Sequence, residues 1–277
     1  MELFKDTCLK CSKVITEAYS TSFTLGIKTL HKKYHLPIYA IYGFVRLADE
    51  IVDTFHAHDK RSLLADFKKQ TYEAIETGLS LNPVLHAFQG VVNEYKIERD
   101  FIDAFLKSME MDLDDHTYDH RLYKEYIYGS AEVVGLMCLR VFCEGDNAMF
   151  ERLKKPACSL GAAFQKVNFL RDMKSDFDER GRVYFPKVKF ESFSNTCKAE
   201  IEADILNDFN DAYKGILALP TGARMGVYLA YVYYRKLFCK IQNMPATRIL
   251  NERVRVPDNT KLALLLGSYL KYRLNAI

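Results

Sequence analysis

Two pairs of aspartates give the first chemical signal in the sequence. Asp49 and Asp53 are four residues apart in RLADEIVD, and Asp172 and Asp176 are four apart in NFLRDMKSD. On a helix, residues four apart share a face, so each pair sets two like charges about 5–6 Å apart at Cβ. A solvated surface patch explains one isolated pair, but a pair on a buried helix needs a cation beside it.

The second motif carries more oxygen donors than its two aspartates. Asn168 precedes Asp172 by four residues, and Gln165 lies one turn before Asn168. Mg²⁺ prefers oxygen ligands, keeps much of its water, and is commonly held by one or two carboxylates together with substrate phosphates. Two acidic stripes that face each other across a gap therefore predict a diphosphate site with Mg²⁺, or Mn²⁺ in its place.

Arginines accompany both motifs. Arg46 lies one turn before Asp49, and Arg171 is adjacent to Asp172. Guanidinium groups match phosphate oxygens in a bidentate way, so these side chains are candidates to hold a diphosphate. The alternative is charge balance against the aspartates on a helix surface. Further bases flank the second motif: Lys166, Arg180 and Arg182.

The elements that must position these side chains are helices. Apolar residues recur at three- and four-residue intervals and strand-like alternation is scarce, which predicts an all-α chain. No stretch has the composition of a linker, so we expect one domain over residues 1–277. Helices are predicted near 3–19, 37–55, 60–78, 98–113, 120–143, 147–173, 197–218, 223–242 and 260–275, with breaks at Pro37 and at Asn82-Pro83 among other turn signals.

Composition narrows the class of protein. The 277 residues are 49% hydrophobic and 27% charged with a net charge of +3, which is typical of a soluble globular protein and gives no signal for nucleic acid binding. Seven cysteines with no secretory signal before them predict a reduced, cytoplasmic setting. The most apolar stretches contain Arg140, Arg224 or Arg235, so none is expected to span a bilayer.

Two glycines interrupt a predicted helix in YIYGSAEVVGLM. Gly129 and Gly135 each cost about 1 kcal/mol relative to alanine there, which requires either close helix packing or space for a ligand. The second alternative is an apolar channel for a long hydrocarbon. Its candidate lining residues are Phe23, Tyr42, Val134, Leu136 and Met137.

Four blocks, in this order, resemble the signatures of the squalene/phytoene synthases, the head-to-head prenyltransferases. They are STSFTLG (20–26), YAIYGFVRLADEIVD (39–53), YIYGSAEVVGLM (126–137) and FQKVNFLRDMKSDFDERGRVYFP (164–186). The similarity extends over roughly residues 15–240. An acidic pair alone is weak evidence, but four blocks in order and at the family's spacing are specific.

The resemblance implies an isoprenoid-synthase fold, a helical bundle around a central cavity in which the two acidic motifs face each other and bind Mg²⁺ and prenyl diphosphates. Asp49, Asp53, Asp172, Asp176 and Asn168 match the metal-binding positions. Ser20, Ser22, Arg46, Gln165 and Arg171 match positions that contact diphosphate. Tyr42, Tyr128 and Tyr184 match positions around the reacting chains, and Phe23 and Val134 match the cavity wall.

The resemblance favours a phytoene synthase that joins two geranylgeranyl diphosphates through prephytoene diphosphate, without NADPH. The alternative is a squalene or dehydrosqualene synthase that uses farnesyl diphosphate. Glu50 stands where the family often has a second Asp, and Lys166 and Val167 depart from the commonest phytoene-type wording. Such substrates and products are greasy, so peripheral contact with the inner membrane face is also an expectation.

Two other functions compete with this one. A non-catalytic helical scaffold would predict eroded acidic motifs, yet all four aspartates and Asn168 are present. A metal site in MDLDDHTYDH is the other, but a solvated helix end or loop explains that stretch more simply. Its candidate ligands are Asp112, Asp114, Asp115, His116 and His120.

Overall fold

The computed structural model describes residues 1–114 and 118–273, and within them the chain forms thirteen α-helices and no strand. The all-α prediction is confirmed. The helices are α1 Glu2–Tyr19, α2 Thr21–Thr29, α3 Lys32–Asp53, α4 Lys60–Thr77, α5 Pro83–Tyr95, α6 Arg99–Met111, α7 His120–Ile127, α8 Val133–Cys143, α9 Asn147–Arg180, α10 Asn195–Leu217, α11 Thr221–Gln242, α12 Ala246–Ile249 and α13 Asp258–Arg273.

Helices α2 and α5 are absent from the sequence prediction, and the signal that starts α5, Asn82-Pro83, is one of the predicted breaks. The side chain of Asn82 accepts hydrogen bonds from Val84 N and Leu85 N, so Asn-Pro is an N-cap followed by a proline in the first turn. Ser20 caps α2 in the same way by accepting from Phe23 N. Both helices begin where the turn residues stand.

Helix α9 carries the second acidic motif and is longer than predicted, at 34 residues. It starts at the cap formed by Asp146 and passes through Pro156 without ending. It ends only where Gly181 takes a left-handed conformation with φ 62°, which favours glycine. Both motif aspartates therefore lie in regular helix.

Helix α3 carries the first motif through the centre of one buried cluster. Phe44 on α3 is fully buried and stacks on Phe88 of α5 at 3.8 Å between ring centroids. Phe67 and Phe105 pack against the same ring from α4 and α6. Packing on several sides fixes the axis of α3 and hence the direction in which its aspartates project.

A single π-helical turn over residues 128–132 joins α7 to α8, and glycines allow the close approach of neighbouring helices there. A methyl group on Gly129 would collide with the carbonyl of Ala104, and one on Gly161 of α9 would meet the carbonyl oxygen of Ala131 at 2.7 Å. One on Gly135 would lie 3.2 Å from a carbonyl of α9. Close packing thus accounts for both glycines of YIYGSAEVVGLM.

The continuous segment His120–Cys143 has the length and apolar composition of a membrane span, contrary to the expectation that Arg140 rules this out. Within the protein, 56% of its most apolar window is buried against other helices, which is the usual condition of a core helix in a globular fold.

Candidate active site

The first motif projects from the last two turns of α3. Arg46 Nη1 lies 3.9 Å from Asp49 Oδ2, and Arg46 Nη2 donates a hydrogen bond to Glu50, the residue after Asp49. The Arg46 guanidinium sits over the ring of Tyr19 at 4.4 Å. One arginine thus balances two carboxylates of the motif, and an aromatic face limits where it can move.

The second motif is held by two arginines. Arg171 Nε donates to both carboxylate oxygens of Asp172, at 3.0 and 3.1 Å. Arg253, from the connection between α12 and α13, donates its Nε to Asp172 Oδ1 at 2.7 Å. The side chain of Asn168 accepts a hydrogen bond from the Tyr234 hydroxyl at 3.3 Å. Arg253 and Tyr234 lie outside every motif that the sequence analysis used.

Two tyrosines connect the motifs in space. Burial raises the pKa of Tyr42, and the charges of Arg46 and Asp49 as well as the Tyr234 hydroxyl act on it. Burial also raises the pKa of Tyr234, which is influenced by the charges of Arg171 and Asp172. Tyr42 thus lies near Arg46 and Asp49 of α3, Tyr234 lies near Arg171 and Asp172 of α9, and the two tyrosines are close enough to interact.

This region has the chemistry for an anion and a hard cation. Arg46 Nε is buried and makes no hydrogen bond with any of the described residues, so a diphosphate oxygen would satisfy it. The two aspartate pairs and Asn168 offer only oxygen donors, which suits Mg²⁺. No group of three or more His, Cys, Asp or Glu side chains converges within the described residues, so a cation here would need the oxygens of a substrate as well.

Tyr184 belongs to a buried polar cluster beside Asp176. Its ring lies 5.1 Å from that of Tyr126 and 5.0 Å from that of Tyr118, and the charge of Asp176 contributes to its raised pKa, for which burial is the main cause. The Tyr126 hydroxyl donates to Asp112 Oδ2 at 2.9 Å. Tyr126 is thus bonded to a carboxylate outside both acidic motifs.

Tyr128 lies elsewhere. It is 37% exposed and lines an open cleft of about 890 Å³ formed by α7, α9, α10 and the segment 185–188. Cys158 and Glu132, rather than either acidic motif, are the neighbours that act most on its pKa after burial. The structure therefore does not bring Tyr128 to the other predicted site residues.

Lys166 and Arg182, two of the bases that flank the second motif, form ion pairs with residues outside it. Lys166 is buried and donates to Asp208 of α10 at 2.7 Å and to Asp204. Arg182 is buried and donates to Asp112 Oδ1 at 3.0 Å. Both act as internal ion pairs and are not available for a diphosphate, which corrects the expectation from sequence.

The ion pair with Arg182 also weakens the case for the alternative metal site in MDLDDHTYDH, because Asp112 is neutralised by an arginine. Asp114 accepts a hydrogen bond from Arg61 at 2.6 Å, and His120 is exposed at the start of α7. Asp115 and His116 lie outside the described residues.

Apolar surface lies next to the motifs. Ser22 and Phe23 of α2 line a small cavity with Tyr233, Tyr234, Leu264 and three aliphatic residues of α2 and α11. The rings of Phe23 and Tyr42 are 5.5 Å apart between centroids. On α8, Val134 is half-buried against the core. One turn on, burial raises the pKa of the Cys138 thiol to about 12. Gln165 is half-buried on α9, one turn before the second motif.

Comparison with known proteins places this arrangement in context. The family model described as squalene/phytoene synthase matches residues 16–260. The chain is 27% identical to phytoene synthase 1, chloroplastic, of Solanum lycopersicum, covering 95% of this chain and 67% of that protein. It is 28% identical to the phytoene synthase of Arthrospira platensis, covering 94% and 91%.

Among solved structures, a dehydrosqualene synthase crystallised with a ligand superposes with a TM-score of 0.81. The sequences are 22% identical, and the match covers 96% of this chain and 98% of the other. At that identity the likeness shows a shared fold.

Proposed function

Because this chain belongs to the squalene/phytoene synthase family, we propose that it is a prenyltransferase that couples two prenyl diphosphates head to head. The observation that supports the proposal is the neighbouring pair Tyr42 and Tyr234, which lies near Arg46 and Asp49 of α3 and near Arg171 and Asp172 of α9. The proposed substrates are two geranylgeranyl diphosphates and the product is phytoene.

The arginines would hold the diphosphate. Arg46 has a buried, unpartnered Nε on the α3 side, and Arg171 and Arg253 stand on the α9 side. Guanidinium groups remain charged at any working pH and pair with phosphate oxygens in two-point contacts. They stabilise the negative charge that grows on the leaving diphosphate as the allylic C–O bond breaks.

The residues that would hold Mg²⁺ are Asp49 and Asp53 on α3 and Asp172 and Asp176 on α9, with Asn168 beside the second pair. When bound, the cation supplies Lewis-acid stabilisation of the leaving diphosphate. These side chains would hold the cation through oxygen atoms alone, which is the donor type that Mg²⁺ prefers.

The apolar walls would protect the allylic cation from water. Phe23 and Tyr42 pack on each other beside the first motif, and Phe164 stacks on Tyr234 at 3.9 Å beside the second. Aromatic faces attract a cation and contain no nucleophile, so they favour coupling to the second prenyl chain over capture by water.

The tyrosines near the motifs would act as neutral donors. Burial raises the pKa of Tyr42 and of Tyr234, and raises that of Tyr184 to about 12. At neutral pH each phenol keeps its proton. Tyr234 donates its proton to Asn168, so Tyr42 and Tyr184 are the phenols that would donate to a diphosphate oxygen. The departing diphosphate is then the proposed acceptor of the proton lost on the way to phytoene.

The substrate length is the part of the proposal that needs direct measurement. Purified protein with Mg²⁺ is incubated with geranylgeranyl diphosphate or farnesyl diphosphate, with and without NADPH, and the hydrocarbon is identified by mass spectrometry. We expect a C40 hydrocarbon that forms without NADPH. A C30 hydrocarbon alone would refute the proposed substrate and support a squalene or dehydrosqualene synthase.

A further inference from the structure

The connection between α12 and α13 brings a cation onto the second acidic motif. Arg253 in this connection donates its Nε to Asp172 Oδ1 at 2.7 Å. Val254, which follows Arg253 directly, and Val256 are both buried in the core. The backbone is therefore anchored on the C-terminal side of the arginine, which fixes the reach of its side chain.

The backbone of the same connection is tied down at a second point. Lys240 of α11 donates from Nζ to the carbonyl oxygen of Arg255 at 2.7 Å. The side chain of Arg255 is exposed. Two arginines thus lie two residues apart on one fixed segment, and Arg253 is the one that bonds Asp172.

Asp172 accepts hydrogen bonds from Arg171 as well as from Arg253. Arg171 Nε donates to Oδ1 at 3.0 Å and to Oδ2 at 3.1 Å, so Oδ1 receives two guanidinium donors. Lone pairs that accept hydrogen bonds from arginine are not available to a divalent cation. A second positive charge next to the carboxylate also repels a metal ion.

The two arginines differ in how easily they can leave. Arg171 is adjacent to Asp172 in the chain and is 22% exposed, whereas Arg253 comes from a connecting segment and is 50% exposed. A diphosphate attracts an arginine more strongly than one carboxylate does, because it offers more charge and two-point contacts. Arg253 is therefore the partner that an incoming diphosphate can withdraw.

We propose that Arg253 is an intramolecular competitor of the divalent cation at Asp172, and that the diphosphate relieves this competition by drawing the guanidinium to itself. The metal then binds this carboxylate tightly only together with the diphosphate. Arg253 contacts the diphosphate in this scheme and is therefore a substrate-binding residue. The inference rests on the proposed function and deepens it by coupling the two binding steps.

The experiment is a Mn²⁺ titration of the full chain followed by electron paramagnetic resonance. Without any diphosphate, Arg253→Gln should bind Mn²⁺ about twofold to fivefold more tightly than the wild type, the upper part of the range for losing a half-exposed charged pair. Arg255→Gln is the matched control and should bind as the wild type does. Arg253→Lys keeps the cation and should stay within about twofold of the wild type.

A second titration with inorganic pyrophosphate present tests the coupling. Pyrophosphate should tighten Mn²⁺ binding in the wild type and should do so less in Arg253→Gln. Equal Mn²⁺ affinity of the wild type and Arg253→Gln without pyrophosphate overturns the inference while leaving the proposed function standing. Absence of Mn²⁺ binding in every protein, with and without pyrophosphate, would instead refute the metal site on which both rest. Thermal melting shows that each variant is folded.

Discussion

The buried ion pair between Arg182 and Asp112 should decide whether the Tyr184 segment stays in place. Both side chains are less than a tenth exposed, at 8% and 6%. Arg182 donates to Asp112 Oδ1 at 3.0 Å and to the main-chain oxygens of Asp112 and Asp114 at 2.8 and 3.1 Å. These bonds join the segment after α9 to the end of α6.

Arg182→Leu removes all three hydrogen bonds and leaves the Asp112 carboxylate buried with the Tyr126 hydroxyl still donating to it. Removing one partner of a buried pair costs about 3–5 kcal/mol. We expect the lower end, about 3 kcal/mol, because Tyr126 remains and the carboxyl can take up a proton. For a chain of this size that lowers Tm by roughly 6–12 °C.

The assay is urea and thermal unfolding monitored by circular dichroism, at pH 7. Arg121→Leu is the control, because its pair with Glu125 is 73% exposed on the arginine side, and it should lose less than about 1 kcal/mol. The double variant Arg182→Leu with Asp112→Leu should be less destabilised than the sum of the single variants, since no charge is left buried. A loss below about 1 kcal/mol in Arg182→Leu would refute the reasoning.

Two more predictions concern packing and the tyrosines. Gly161→Ala should destabilise the protein by about 1–3 kcal/mol, because the added methyl group would meet a carbonyl of the π-helical turn. Gly90→Ala is the control and should be neutral or stabilising, because nothing lies within 4 Å of the added methyl group. Equal urea midpoints of the two variants would contradict this. Tyr126→Phe should destabilise the protein by about 1–3 kcal/mol, because it removes a hydrogen bond to the buried Asp112 carboxylate; a urea midpoint equal to that of the wild type would contradict this. Tyr128→Phe should leave turnover within about twofold of the wild type; a larger loss in steady-state assays would give Tyr128 a role in the reaction.

Much of the fold and half of the site were predictable because their signals are local. Four-residue spacing puts Asp172 and Asp176 on one face of a helix, and the structure has both in α9. The arginine next to each motif also contacts it, as Arg46 and Arg171 show. These relations depend only on helical geometry, so the sequence alone predicts them.

The errors have physical causes that the sequence does not display. A π-helical turn over residues 128–132 widens the helix there, so the direction in which Tyr128 projects does not follow from a period of 3.6 residues per turn. Arg253 reaches Asp172 from a connection 81 residues further along the chain, and no local pattern connects them. Arg182 is a base in the right stretch of sequence, but burial commits it to an internal ion pair.

Prediction from sequence also misses helices whose caps resemble turns. Asn-Pro occurs both in loops and at the first residues of helices. Only the apolar residues that follow Asn82 and Pro83 show that they start α5. The same ambiguity affects Ser20, which was selected as a diphosphate contact and is in the structure the cap of α2. A hydroxyl that caps a helix can also contact a ligand, so capping α2 is compatible with contact to a diphosphate.

The central claim is that the two acidic pairs form one diphosphate site, and the rate of diphosphate release from geranylgeranyl diphosphate with Mg²⁺ tests it most directly. Asp49→Asn and Asp172→Asn should each lower that rate by at least about 100-fold while the helical circular dichroism is unchanged. Asp178→Asn, on the same helix but 51% exposed and paired with Lys174, should keep the wild-type rate. Near-normal release in both motif variants would contradict the account.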